Sequence, residues 1–218
     1  RRNGAQLFYM TGKQSHIAPV DMNNEQETVS RYNSIFDYVD LVGADAYIIS
    51  SGSLSGLESE EEYRRVIKRF DDSPYVLLQK ETDADVPGRC SITVDNYSIF
   101  CQCIKHLIVE HHYRKIAYVS GPRQHPEAIE RERAYRDTLK KHGLPPDESL
   151  IEYGDLSGFV DEQVTRLLRD HPDLEAIAFC NDEMAKSGYK VCQSLGLRIG
   201  IDIAVTGFDD FTTGQTMT

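Results

Sequence analysis

Short apolar runs alternate with stretches whose apolar residues recur every third or fourth position, and this pattern continues along nearly the whole chain. QLFYM at 6–10 reads as a strand, and from Glu25 onward Val29, Tyr32, Ile35, Phe36 and Val39 share one helical face. AYIIS at 46–50 reads as a buried strand. Ser59 and Glu62 form a capping box ahead of Tyr63, Val66, Ile67 and Phe70, and Pro74 introduces the strand YVLL at 75–78. The spacing then predicts strand 91–94, helix 97–110, strand 115–120, helix 126–142 closed by Gly143, and strand 150–153. Helix 157–169, strand 176–180, helix 183–195 and strand 204–208 follow. Strands separated by helices of this length pair in parallel, with helices on both faces of the sheet, so the fold class is α/β.

The 218 residues suffice for one large domain or for two lobes of roughly 100 residues each. The polar stretch ETDADVPGR at 81–89 is the most linker-like segment, and the lobe boundary is placed there. The expected division is an N-terminal lobe 1–93, a C-terminal lobe 94–208, and the start of a crossover at 209–218. Ligands of open α/β sheets lie beyond the carboxyl ends of the strands. The polar residues at those ends are Thr11, Ser50, Ser51, Gln79, Asp95, Ser120, Asn181, Asp209 and Asp210.

Charge and motifs narrow the function. A net charge of −11 argues against direct DNA binding by this segment, since duplex DNA is held largely through neutralised phosphates. Pairs such as Arg64-Arg65 and Lys140-Lys141 sit among acids on solvated helix faces. No run approaches the roughly 20 apolar residues of a membrane helix, and the N-terminus lacks a signal-peptide layout. Five cysteines without scaffold spacing point to a reducing compartment, hence the cytoplasm.

Neither a Walker loop nor GxGxxG after a strand is present. Gly52 to Gly56 has Leu54 where a nucleophile elbow needs serine. Cys101 and Cys103, two apart on a helix, point to different faces. His111-His112 reads as a surface pair, His106 as a hydrogen-bonded core or interface residue, and Glu60 to Glu62 as helix N-terminal acids. Nothing pairs a nucleophile with a base, so no catalytic residue, metal site or cofactor is expected.

From Val94 to Asp210 the chain resembles the effector domain of the lactose-repressor (LacI/GalR) family, whose fold is the type I periplasmic-binding-protein-like one. VDNY (94–97), HLI (106–108), YRKIAYVSGP (113–122), ERERAY (130–135), GLPPD (143–147), FCNDEMAKSGY (179–189) and VTGFDD (205–210) carry the resemblance in order. ADAYIISSG (44–52) and YVLLQK (75–80) extend it more loosely.

The resemblance implies two Rossmann-like lobes that close on a small polar effector, such as a sugar or nucleobase. The family's effector-contacting arginine falls on Arg131, its asparagine on Asn181 and its first GFDD aspartate on Asp209. A guanidinium, an amide and a carboxylate suit a hydroxylated ligand. Each has a plainer reading: Arg131 can pair with Glu127, Asn181 can cap a helix, and Asp209 can be a turn residue. Asp95 is expected to be structural, at a hinge; the roles of Ser50 and Gln79 stay open.

This chain also departs from the family pattern. Ala134 stands for a glycine and Leu156 for an aromatic that stacks on sugars, and there is no tryptophan; Phe159 or Tyr97 is the available substitute. The resemblance begins at what would be the second strand, so the first lobe is expected to lack the family's first strand and helix. The implied function is effector sensing for a transcription regulator, acting as a homodimer that touches DNA through a separate domain. The alternatives are the input domain of a diguanylate-cyclase (GGDEF) or histidine-kinase signalling protein and, further off, a transport solute-binding protein.

Overall fold

The computed structural model describes residues 6, 8, 9, 36, 38, 39, 43–51, 60–80 and 86–210. The chain divides into two compact units, Arg1–Val94 and Asp95–Thr218.

In the first unit, strands β1 (Tyr47–Ser50), β2 (Tyr75–Leu78) and β3 (Arg89–Ile92) form a parallel sheet in that order. Helix α1 (Glu60–Lys68) supplies the crossover between β1 and β2. Alternation along the strands sorts side chains between faces, so Ile49, Tyr75 and Leu77 are buried with Phe36, Val39, Val66 and Phe70. The Tyr47 ring meets Phe70 edge-on at 4.9 Å.

The second unit runs α2 (Asn96–Val109), β4 (Ile116–Ser120), α3 (Pro126–Lys141), β5 (Ile151–Tyr153), α4 (Asp161–Asp170), β6 (Ala176–Phe179), α5 (Asp182–Ser194) and β7 (Ala204–Thr206). Its four strands are parallel, in the order β5-β4-β6-β7. The central β4 and β6 are buried at every position, as strands covered on both faces must be, and both are correspondingly apolar (IAYVS, AIAF). A layer of aromatics lies under β4: Tyr118 stacks on Tyr135 at 5.0 Å, and Phe100 sits 5.4 Å from Tyr118. Tyr135 donates to the Ile116 carbonyl at 2.8 Å, and burial pushes its hydroxyl pKa up. The connection from β4 leads to β5 on one side, while β6 lies on the other. The order of connection therefore switches between β4 and β6, and the carboxyl ends at such a switch are where open α/β sheets take their ligands.

Several sequence expectations need correcting. Gln6, Phe8 and Tyr9 carry no strand; the rest of 6–10, Thr11 and most of the 25–39 helix lie outside the described residues. The units meet after Val94, one residue from the expected 93/94 division, while the linker-like 81–89 stretch falls inside the first unit, because β3 hydrogen-bonds to β2 and extends the first sheet. Helix α4 starts at Asp161 and not at Ser157, because the Asp155 carboxylate takes the Ser157 N–H and hydroxyl and holds a turn there. His106 is exposed, and no core surrounds it.

Gly188 faces the sheet from α5, and a Cβ placed there would run into the Phe179 ring, which is fully buried. Gly188→Ala should therefore lower stability by about 1–3 kcal/mol, the usual cost of overpacking. Chemical denaturation checks this, and an unchanged midpoint would show that α5 can lift off the sheet freely.

Candidate functional site

Arg131 lies midway along α3, only 5% exposed, with its head group at the carboxyl end of β6. A buried guanidinium must have its donors met. Its Nε donates to Asn96 Oδ1 at 2.9 Å, and one Nη donates to the Cys180 carbonyl at 2.6 Å, at the end of β6. The other Nη reaches Glu127 Oε2 at 3.3 Å and stands 3.7 Å from Asp209 Oδ1. The guanidinium plane also lies 3.9 Å from the Phe208 ring centroid, a cation–π contact. The 3.7 Å separation is an ion pair but too long for a hydrogen bond. At this spacing a hydroxyl oxygen set to one side of the pair can accept from Arg131 and donate to Asp209.

Asp209 reaches this position through unusual backbone geometry. Asp209 and Asp210 have φ of 106° and 56°, in the region that side chains other than glycine rarely enter. The turn is pinned from behind by the Asp182 N–H, which donates to the Phe208 carbonyl at 2.9 Å. Gly207 is required there, since a Cβ would strike the Asp182 carboxylate. Burial raises the Asp209 carboxyl above the ordinary aspartate value; Arg131 opposes this, and the charges of Asp182 and Glu127 reinforce it.

Asn181 stands beside Cys180 and caps α5: its Oδ1 accepts the Met184 N–H at 3.0 Å, while its Nδ2 donates to the Leu156 carbonyl at 2.9 Å. The amide keeps one N–H for another partner. Leu156, with φ of 69°, folds its side chain against Gly121, where no Cβ could be accommodated. Phe159 is 84% exposed, and the Tyr97 hydroxyl is occupied by Asp137 at 3.0 Å. Asp95 caps α2: its carboxylate accepts the Ser98 N–H at 2.9 Å, and that bond holds its pKa below the usual value.

In the first unit Ser50 Oγ donates to Gln79 Oε1 at 3.3 Å, so the tips of β1 and β2 bring these two together. Gln79 has φ of 68° and donates its N–H to the Ile92 carbonyl. Thus Arg131 and Asp209 meet, Asn181 flanks them, Ser50 pairs with Gln79 in its own unit, and Asp95 turns into its helix. Sequence reasoning missed Asn96 and Phe208; the DN of VDNY and the F of GFDD were the available signals.

A family model described as a periplasmic binding protein-like domain matches residues 104–218. The chain is 33% identical over 143 residues to the HTH-type transcriptional regulator CelR of Thermobifida fusca, covering 65% of this chain and 42% of that protein. Over 162 residues it is 26% identical to the ribose operon repressor of Escherichia coli, covering 74% and 48%. The chain thus spans less than half the length of these relatives. Among solved structures, a CelR–cellobiose complex superposes with a TM-score of 0.68 at 26% identity, covering 88% of this chain and 55% of that one. The E. coli repressor ascG superposes with a TM-score of 0.67 at 24% identity, covering 84% and 64%.

The raised carboxyl of Asp209 gives a pH test. The folded state holds this proton more tightly than the unfolded chain, so the group's stability contribution is full below the ordinary aspartate range and fades as pH rises through its folded value. Asp209→Asn removes that dependence. The stability difference between variant and parent should therefore shift in the variant's favour from acid to neutral pH. A difference that is flat, or runs the other way, would mean that pairing with Arg131 outweighs burial.

Proposed function

The chain belongs to the periplasmic binding protein-like domain family, and from that premise we propose that it is the effector-sensing part of a LacI/GalR-type transcription regulator. The effector binds at the carboxyl ends of β4 and β6. The observation that carries this reading is the loose Arg131–Asp209 pair beside the point where the order of strand connection switches. A guanidinium and a carboxylate, held 3.7 Å apart by other contacts, present a donor and an acceptor that a single hydroxyl can bridge.

The charge around Arg131 supports a neutral polyhydroxylated effector. Glu127 and Asp209 both pair with the one Arg131 guanidinium, two carboxylates against one cation, so an incoming carboxylate or phosphate meets a surplus of negative charge. A CelR structure in complex with cellobiose supports the sugar class. The free N–H of Asn181 adds a donor to the same rim, and Leu156 covers an apolar sugar face in place of an aromatic ring. Discrimination then rests on hydroxyl placement, since an analogue lacking one leaves buried polar groups unpaired.

The rest of the function follows the same reading. The matched relatives are named as HTH-type regulators, which favours a DNA-binding output over a cyclase or kinase. DNA contact belongs to a separate domain, because this chain carries a net charge of −11. The protein works in the cytoplasm as a homodimer and as a binding module without an enzymatic step. Among the described residues no helix is long and apolar enough to cross a membrane.

Thermal-shift screening of neutral mono- and disaccharides against sugar acids and sugar phosphates tests the site. An effector at a hundred times its Kd adds about 2.7 kcal/mol, a shift of roughly 5–10 °C for a chain of this size. Asp209→Asn should remove that shift while the chain stays folded. Arg131→Ala should do the same, although it also strips partners from Asn96 and the Cys180 carbonyl. A sugar acid shifting more than its neutral parent, or an undiminished shift in Asp209→Asn, would overturn this assignment.

A further inference from the structure

The carboxyl end of α2 carries a feature that effector binding does not use. His106, in the last turn, and His111, just past the helix, bring their Nε2 atoms to 3.0 Å. Both rings are exposed, with centroids 4.8 Å apart and planes at 77°. The arrangement is braced: His111 stacks on Tyr113 at 5.4 Å and 12°, and the Tyr113 N–H donates to the Leu107 carbonyl at 3.1 Å. The Glu110 N–H closes the helix on the His106 carbonyl at 3.0 Å.

We propose that His106 and His111 form a two-imidazole site for a tetragonal divalent transition ion, Cu(II) or Ni(II). The 3.0 Å between the Nε2 atoms is the length of the hydrogen bond that joins the rings without an ion, and it places both nitrogens close enough for a modest turn of each ring to aim their lone pairs at one ion. Among divalent first-row ions Cu(II) binds nitrogen donors most tightly, with Ni(II) next below it in the series, and both accept imidazole in tetragonal fields with water at the remaining corners. The helix C-terminus, with its carbonyls pointing outward, favours a cation there, as does the chain's net charge of −11.

Without an ion, one imidazole donates its Nε2–H to the other. On binding, that ring carries its proton on Nδ1 instead, exchanged through solvent, so both Nε2 lone pairs face the ion and no proton is lost overall. Among the described residues no third His, Cys, Asp or Glu joins the pair. Water therefore fills the remaining positions, and the ion stays open to exchange or to a donor from another molecule.

Titration of the tag-free chain with CuCl2 and NiCl2, by calorimetry and by electron paramagnetic resonance of the Cu(II) form, tests this. One saturable equivalent with a two-imidazole hyperfine pattern is expected. His106→Ala and His111→Ala should each weaken Cu(II) binding at least tenfold, with far-ultraviolet circular dichroism unchanged. His112→Asn keeps a residue that tolerates φ of 60° and should change affinity less than twofold. The proposal is overturned by three results: no saturable binding, affinity unaffected by losing either ring, or an equal loss in His112→Asn.

Discussion

A single buried guanidinium organises the second unit. Removing an unpaired charge from water costs several kcal/mol even after relaxation, so Arg131 is tolerable at 5% exposure only because its surroundings are arranged for it. Asn96 brings the start of α2 to it, the Cys180 carbonyl brings the end of β6, Glu127 sits one turn earlier on α3, and Phe208 lies against its face. Four segments far apart in sequence are thereby held to one point. The last polar atom near it, Asp209 Oδ1, is the one left at ion-pair and not hydrogen-bond distance.

The sheet explains why that point lies where it does. β4 and β6 are buried throughout, which keeps charged side chains off their length and leaves such groups to the strand ends. Close approach then shapes the rim. Gly121 admits Leu156, so the turns after β4 and β5 pack closely, and Gly207 admits the Asp182 carboxylate, so the turn after β7 packs closely on the start of α5. The positive φ values of Leu156, Asp209 and Asp210 occur in these same turns. The surrounding backbone hydrogen bonds hold this strained geometry in place, and under the proposed function it preorganises the rim for a ligand.

Much of this was legible before any coordinates. Periodicity located β1, β2 and all of β4 to β7 to within a few residues, because a buried strand and an amphipathic helix leave different patterns. It failed where local polar chemistry or pairing intervenes. Asp155 captures Ser157 and delays α4, and pairing with β2 starts β3 at Arg89, two residues ahead of the strand expected at 91–94. Family motifs pointed to Arg131, Asn181 and Asp209, but not to Asn96 or Phe208. Those two matter through contacts that span 35 residues of chain in one case and most of the second unit in the other, and spacing along a single element carries no trace of such contacts.

Asn181 shows how one residue satisfies both readings of a motif. As a helix cap it needs only its oxygen, which accepts the Met184 N–H. Serine, threonine or aspartate would do that equally well. None of them also offers an amide nitrogen, and it is the nitrogen that ties down Leu156 while keeping a second N–H. The choice of asparagine over other capping residues therefore follows from the rim and not from the helix. An aspartate there would add a further negative charge close to Glu127 and Asp209, which already pair with a single guanidinium. A neutral amide lets the rim act by directional hydrogen bonds without making that imbalance worse.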